Sequence, residues 1–305
     1  MSLEVRGVLP VIHTPFLRGG EVDFESLLRE VDWAYQTGAD GVVAAMVSEV
    51  LRLTNDERVQ LTDELVSTSG DRGIVITSVG AESTHQAKIL ARRAAPSGCR
   101  AVMAIPPIHT ALPEDELWRY FCEIAEATEL PLIVQDASSY VGGALTIDLF
   151  VRVLQRFGET KVLFKPEAAP IGPNLSLLRD QTDGRARIFD GSGGILLIDA
   201  YRRGIMGTMP GTDLLDGIVA IWRALESGDE PRAYRVYFPL AAIVNLQLQA
   251  GLDGFLAIEK YLMVKRGLFR CDSRRAPTAW QLDRETRDEV DRLFEMMQGA
   301  LCHRS

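Results

Sequence analysis

The chain has 305 residues, 47% of them apolar and 25% charged, enough for one large barrel or two ordinary domains with a substantial core. Its net charge of −9 repels phosphate backbones and anionic lipid surfaces, so neither nucleic acid nor a membrane is expected as a partner. Cys99, Cys122, Cys271 and Cys302 are scattered without a C-x-x-C pair, which argues against a zinc site or a disulfide framework and for reduced thiols in the cytoplasm.

The first segment lacks the basic stretch, apolar run and small-residue cleavage site of a signal peptide, and none is expected. No run approaches the roughly 20 apolar residues of a membrane span. From Gly7 onward, short apolar runs alternate with helical patterns. "GVLPVI" (7–12) reads as a strand, and the helix pattern that follows ends at Gly38. "GVVAAM" (41–46) is the next strand. Thr54 then caps a helix, with Glu57 placed to complete a capping box.

"GIVITSV" (73–79) and "RAVMAI" (100–105) are further strands, each followed by an amphipathic stretch. "LPLIVQD" (130–136), "KVLFK" (161–165), "ARIFDG" (186–191) and "GIMGTM" (204–209) continue the series, with a helix expected from about Asn174 to Asp180. Such alternation indicates a parallel sheet with helices outside, and eight units point to a closed (β/α)8 TIM barrel over residues 1–213. No G-x-G-x-x-G opens the first helix, which disfavours a dinucleotide fold. Residues 214–305 show helical patterns only and read as a C-terminal helical segment packed on the barrel.

In such barrels the chemistry sits at the C-terminal ends of the strands. That rule selects Met46 to Glu49, Gln135 and Asp136, Lys165 to Glu167, Asp190 to Ser192, and Thr208 with Met209. Lys165 is conspicuous because it ends an apolar strand. Burying an amine favours its neutral form, which is the form that attacks a carbonyl. A lysine reaching out to water at the barrel rim is the plainer reading of the same spacing. Lys165 shares a strand face with Leu163 and, if the strand persists, with Glu167; that face is turned either into the barrel or toward the helices.

The ordered motifs "GVLPVIHTPF", "GADGVVAAMVSEVLRLTNDER", "VLFKPEA", "IFDGSGG", "RRGIMGTMPG" and "RRAPTAW" resemble the dihydrodipicolinate synthase/N-acetylneuraminate lyase family from residue 5 to about 300. The resemblance implies a barrel with a helical C-terminal segment, assembled as a homotetramer or homodimer. It implies that Lys165 forms an imine with pyruvate or a longer 2-oxo acid, with no metal or organic cofactor.

The sequence departs from the family's pattern at several places. The family's G-T-T-G-E corresponds to Ala45, Met46, Val47, Ser48 and Glu49, so both threonine hydroxyls are missing. Backbone N–H groups near Val47 and Ser48 remain as carboxylate donors, and the Ser48 hydroxyl as a partial substitute in proton transfer. The family's proton-shuttling tyrosine corresponds to Gln135, followed by Asp136. The arginine that holds a substrate carboxylate in dihydrodipicolinate synthases corresponds to Tyr140. These losses argue against dihydrodipicolinate synthase activity itself.

Glu167, or secondarily Asp136, is the expected proton carrier. Gly191 is expected either to admit substrate close to the backbone or simply to permit a turn, Tyr140 to reach a substrate's distal end or a subunit interface, and Met209 to form an apolar wall. The leading expectation is a Schiff-base lyase or aldolase acting on pyruvate or a 2-oxo-3-deoxy sugar acid. Dehydration of such an acid through the same imine is the second expectation. A barrel that binds a 2-oxo acid without turnover is the third.

Overall fold

The computed structural model describes residues 4–138 and 141–302. Five strands, β2 (Gly41–Ala44), β3 (Ile74–Ser78), β4 (Ala101–Ala104), β5 (Leu132–Gln135) and β6 (Val162–Lys165), pair in parallel in chain order. The other three, β1 (Gly7–Val8), β7 (Phe189–Asp190) and β8 (Gly207–Thr208), pair in the order β1-β8-β7. Single bridges from Val11 to Val43 and from Phe164 to Ile188 join the two groups into a closed ring. The (β/α)8 barrel expected from the alternation is therefore present.

The observed strands are shorter than the apolar runs that announced them. Pro10, Pro106, Pro166 and Pro210 stand at their ends and cannot donate to a ladder, so regular pairing stops there. Backbone bonds such as Leu9 N to Thr208 O (2.9 Å) and Ile12 N to Val43 O (2.9 Å) carry the wall onward without regular strand geometry.

Helices α1 (Phe24–Thr37), α2 (Asn55–Ser69), α3 (Thr84–Ser97), α4 (Glu114–Glu126), α5 (Ile147–Phe157), α6 (Ile171–Gln181), α7 (Leu197–Arg202) and α8 (Leu215–Glu226) surround the ring. α6 begins earlier than its apolar pattern suggested. Pro173 falls in its first turn, where helix N–H groups lack intrahelical acceptors and a missing one costs little. α8 packs against both α7 and α1, so it closes the ring of helices although it lies within residues 214–305.

Beyond the ring come α9 (Glu230–Leu248), α10 (Gly251–Lys265) and α11 (Arg284–Cys302), with α9 packed on α8, α10 and α11. Among the described residues no helix is long and apolar enough to cross a membrane.

Strand alternation divides the core in two. Val42, Val102, Leu132, Val134, Val162 and Phe164 face the helices. Val43, Ile76, Met103, Ile133, Leu163 and Phe189 fill the barrel interior.

The capping box at α2 forms as the sequence predicts: Glu57 N donates to Thr54 Oγ1 at 3.2 Å, and Thr54 N to Glu57 Oε2 at 2.8 Å. Glu57 also takes Arg275 Nη1 at 2.6 Å, tying the segment before α11 to the barrel. Thr54→Ala is expected to cost about 1 kcal/mol of unfolding free energy, the usual value of a lost N-cap. Denaturant unfolding monitored by circular dichroism checks this.

Candidate active site

The period of two along β6 decides where Lys165 points. Val162 and Phe164 pack toward the helices and Leu163 packs inside the ring, so Lys165 projects inward at the C-terminal mouth. Its register partner on β5 is Gln135. Pro166 follows, and the chain then returns Glu167 to the same space. Lys165 is 4% exposed and Glu167 1%. Lys165 Nζ lies 3.2 Å from Glu167 Oε1, and Gln135 Nε2 donates to Glu167 Oε2 at 2.7 Å.

This chain of three side chains stands in water-poor surroundings, and burial dominates its electrostatics. Burial raises the Glu167 carboxyl to about 7, against the opposing pull of the Lys165 charge and the Gln135 hydrogen bond. A carboxyl in that range exchanges protons readily near neutrality. Asp190, at the end of β7, is also raised by burial. It is held by Ser192 N (3.1 Å) and by the Thr208 hydroxyl (3.0 Å), and Lys165 acts on it electrostatically.

Lys165 opens on a small cavity at the barrel mouth. Its near wall includes Gln135, Gly191, Met46, Val47 and Met209, all at strand ends. Gly191 is there for space: a Cβ on it would collide with Glu167 Oε1 and stand 2.7 Å from Lys165 Cε. Gly191→Ala therefore displaces the amine from its working position. The expected result is a loss of kcat/KM of roughly 10²-fold, the scale of an ångström-level misplacement, with little change in the far-ultraviolet spectrum. Steady-state kinetics on the enzyme's own substrate measures it.

Two of the expected groups are engaged by the backbone. Both Asp136 oxygens are hydrogen-bonded within the loop after β5: Oδ1 accepts from Ser138 N (2.8 Å) and Oδ2 from Leu145 N (3.1 Å), which anchors that loop. The Ser48 hydroxyl is likewise committed. It donates to Ile12 O and accepts from Ala45 N at 3.1 Å, while Ser48 N donates to Ala45 O at 3.0 Å. Ser48 thus shapes a 3-10 turn (Met46–Ser48) instead of facing substrate, and Thr14 secures the same turn by donating to Ser48 O at 2.6 Å. Val47, in that turn, remains on the cavity wall. Tyr140 lies outside the described residues.

The sequence reading missed the far wall. Asp213, Gln247, Phe255 and Glu259 line the same cavity from the loop after β8 and from α9 and α10. Asp213 falls only four residues beyond Met209. Glu259 and Lys260 interrupt the apolar run "FLAI–YLMV", and a charge pair in such a run is a signal of buried polar structure. Lys260 indeed pairs with Glu49 in the interior. Glu259 faces His13, with Oε2 3.2 Å from Nε2, and His13 Nδ1 lies 2.9 Å from Glu30 Oε1 on α1. Burial opposes charge on His13, but Glu259 and Glu30 together outweigh it and raise His13 to about 10.

Residues 4–296 match the Dihydrodipicolinate synthetase family. The chain belongs to that family. Within it, L-2-keto-3-deoxyarabonate dehydratase of Azospirillum brasilense is 31% identical over 290 residues, 93% of this chain and 92% of that one. The 4-hydroxy-tetrahydrodipicolinate synthase of Laribacter hongkongensis is 32% identical over 185 residues, 60% of this chain and 58% of that one. The crystal structure of dihydrodipicolinate synthase from Rhodopseudomonas palustris superimposes with a TM-score of 0.87 at 26% identity, covering 97% of this chain and 99% of that one. This member of the dihydrodipicolinate synthetase family thus shares the fold over nearly its full length, while Glu167 links the cavity-lining Gln135 and Lys165.

Proposed function

We propose that the protein is a lyase that captures the carbonyl of a 2-oxo acid as an imine on Lys165. The observation that carries the reading is the buried contact between Lys165 and Glu167 inside the barrel mouth. Glu167 takes a proton from the ammonium, and the neutral amine adds to C2 of the substrate. Loss of water then leaves a cationic imine. The substrate carboxylate lies at the Val47 turn, whose leading N–H groups lack intrahelical acceptors.

From the imine two outcomes share one electron sink. Removal of a proton from the C4 hydroxyl breaks the C3–C4 bond, releases an aldehyde and leaves the enamine of pyruvate. Removal of a C3 proton instead gives the enamine directly, which expels the C4 hydroxyl as water once protonated. Glu167 is the group placed to move these protons, and Gln135 holds it. The second outcome, dehydration, is favoured by the similarity to the L-2-keto-3-deoxyarabonate dehydratase over 93% of the chain. No metal or organic cofactor takes part in either route. We also place the protein in the cytoplasm as a homotetramer or homodimer, as its family resemblance implies.

Two measurements test the proposal. Incubation with pyruvate and borohydride, followed by peptide mass spectrometry, is expected to place a reduced adduct on Lys165. Failure to label with pyruvate or longer 2-oxo acids sinks the imine and favours a barrel without turnover. Product analysis with 2-oxo-3-deoxy sugar acids then separates the reactions: pyruvate plus aldehyde means cleavage, and an unchanged carbon count with one water lost means dehydration.

A further inference from the structure

The far wall of the cavity carries a second set of polar groups that imine chemistry does not use. Asp213 Oδ1 and Glu259 Oε1 flank Gly211, standing 2.8 Å and 2.5 Å from where its Cβ would be. Ligand atoms of His13, Asp213 and Glu259 all lie within 4.8 Å of one another, and all three side chains are buried. Two of them are held from behind: Gln247 Nε2 donates to Asp213 Oδ2 at 2.8 Å, and Glu30 supports His13. Glu259 Oε2 is buried and has no hydrogen bond; it stands 3.2 Å from His13 Nε2 but out of line for one.

Asp213, Glu259 and the Gln247 amide thus line a space that Lys165 also lines, while His13 stands against Glu259. Burial and the Glu259 charge raise Asp213 to about 7 against the pull of the His13 and Arg266 charges, and His13, shared between Glu30 and Glu259, does not offset all the carboxylates around it. A ligand that brought a further carboxylate against this wall would increase the repulsion. A ligand that brought hydroxyl donors would satisfy carboxylate oxygens without adding negative charge. Hydroxyls accepted by buried groups also discriminate strongly, because a ligand lacking them leaves those groups without partners.

We propose that Asp213, Gln247 and Glu259 form the specificity wall of this site, selecting a 2-oxo acid whose distal end carries uncharged hydroxyls and rejecting one that ends in a second carboxylate. The inference rests on the proposed anchoring of the 2-oxo end at Lys165. His13 is the positioning residue that keeps Glu259 turned to the cavity, and Gly211 leaves the approach open.

Titration calorimetry on the full-length protein with 2-oxoglutarate and a 2-oxo-3-deoxypentonate tests the wall, and borohydride labelling of the same samples tests the imine separately. The hydroxylated acid is expected to bind at least roughly tenfold more tightly than the diacid, the scale of a missing hydrogen-bonded partner in a buried site. Asp213→Asn and Glu259→Gln, both nearly isosteric, are each expected to shrink that ratio severalfold. The ratio is a readout that a merely structural role would not move.

Equal affinity for the two acids, or a ratio unchanged in both variants, overturns the inference. So does tight binding of Mn2+ or Zn2+ that both variants abolish, since the pair would then serve a cation. Selective binding without labelling of Lys165 upholds the wall and removes the imine instead.

Discussion

Lys165→Ala is expected to abolish borohydride-dependent labelling and to lower kcat by roughly 10⁴-fold or more, the scale seen when a covalent nucleophile is removed. No other described lysine can replace it by position. Lys260 is buried as well, but it is paired with Glu49 and donates to Ser273 O at 3.0 Å, on the far side of that ion pair. Lys165→Arg is expected to be equally inactive, because a guanidinium keeps the charge beside Glu167 yet cannot form the imine. Retention of the adduct in Lys165→Ala would move the chemistry to another amine and end the assignment.

Glu167→Gln is expected to lower kcat by roughly 10²- to 10³-fold, the usual contribution of one positioned acid–base group. It is also expected to remove the acidic limb of the pH profile of kcat/KM. Glu167 has a value raised to about 7 by burial. Below that pH the carboxyl is already protonated and cannot take the proton that Lys165 must lose, so activity falls as pH drops through about 7. Above it the carboxylate accepts that proton, and the limb flattens. The glutamine keeps the shape and the Gln135 contact region while removing the titration. Full turnover with an unchanged profile in Glu167→Gln would exclude Glu167 as the proton carrier.

How Glu167 remains ionisable at all follows from its partners. An isolated carboxylate buried to this degree would stay protonated well above neutrality. The Lys165 ammonium at 3.2 Å and the Gln135 amide at 2.7 Å pull it back to about 7, which is where a proton carrier is most effective. Where the family pattern puts a tyrosine, this chain uses an amide that orients a carboxylate. In the proposed mechanism the proton-carrying function moves from the end of β5 to the residue two beyond β6.

The barrel was legible in the one-dimensional pattern because its determinants are local. A strand of alternating or continuous apolar residues and a helix of period 3.6 each declare themselves within a dozen positions, and eight repeats of the pair leave few closed arrangements. Lys165 was less so: the strand-end rule names its position, but the same spacing suits a lysine reaching water at the rim, and the family resemblance, not the spacing, singled it out. The strand ends themselves were less legible, since prolines shorten the regular ladder while the wall continues through single bonds.

The fate of individual polar atoms required the tertiary structure. Asp136 and Ser48 stand at the expected strand ends, yet amides of their own loops bond their oxygens, and the Ser48 hydroxyl also donates to Ile12 O in the segment after β1. The sequence does not report that Ile12 will come close to Ser48. Asp213, Gln247 and Glu259 reach the cavity from segments separated by more than 30 and 10 residues, brought together only because α9 and α10 fold across the barrel mouth. The amino-acid sequence alone therefore determined the repeating architecture, because periodicity is a property of short segments. Packing of distant segments decided which oxygens are spent on the backbone and which face the cavity, because hydrogen-bond partners are assigned by proximity in space.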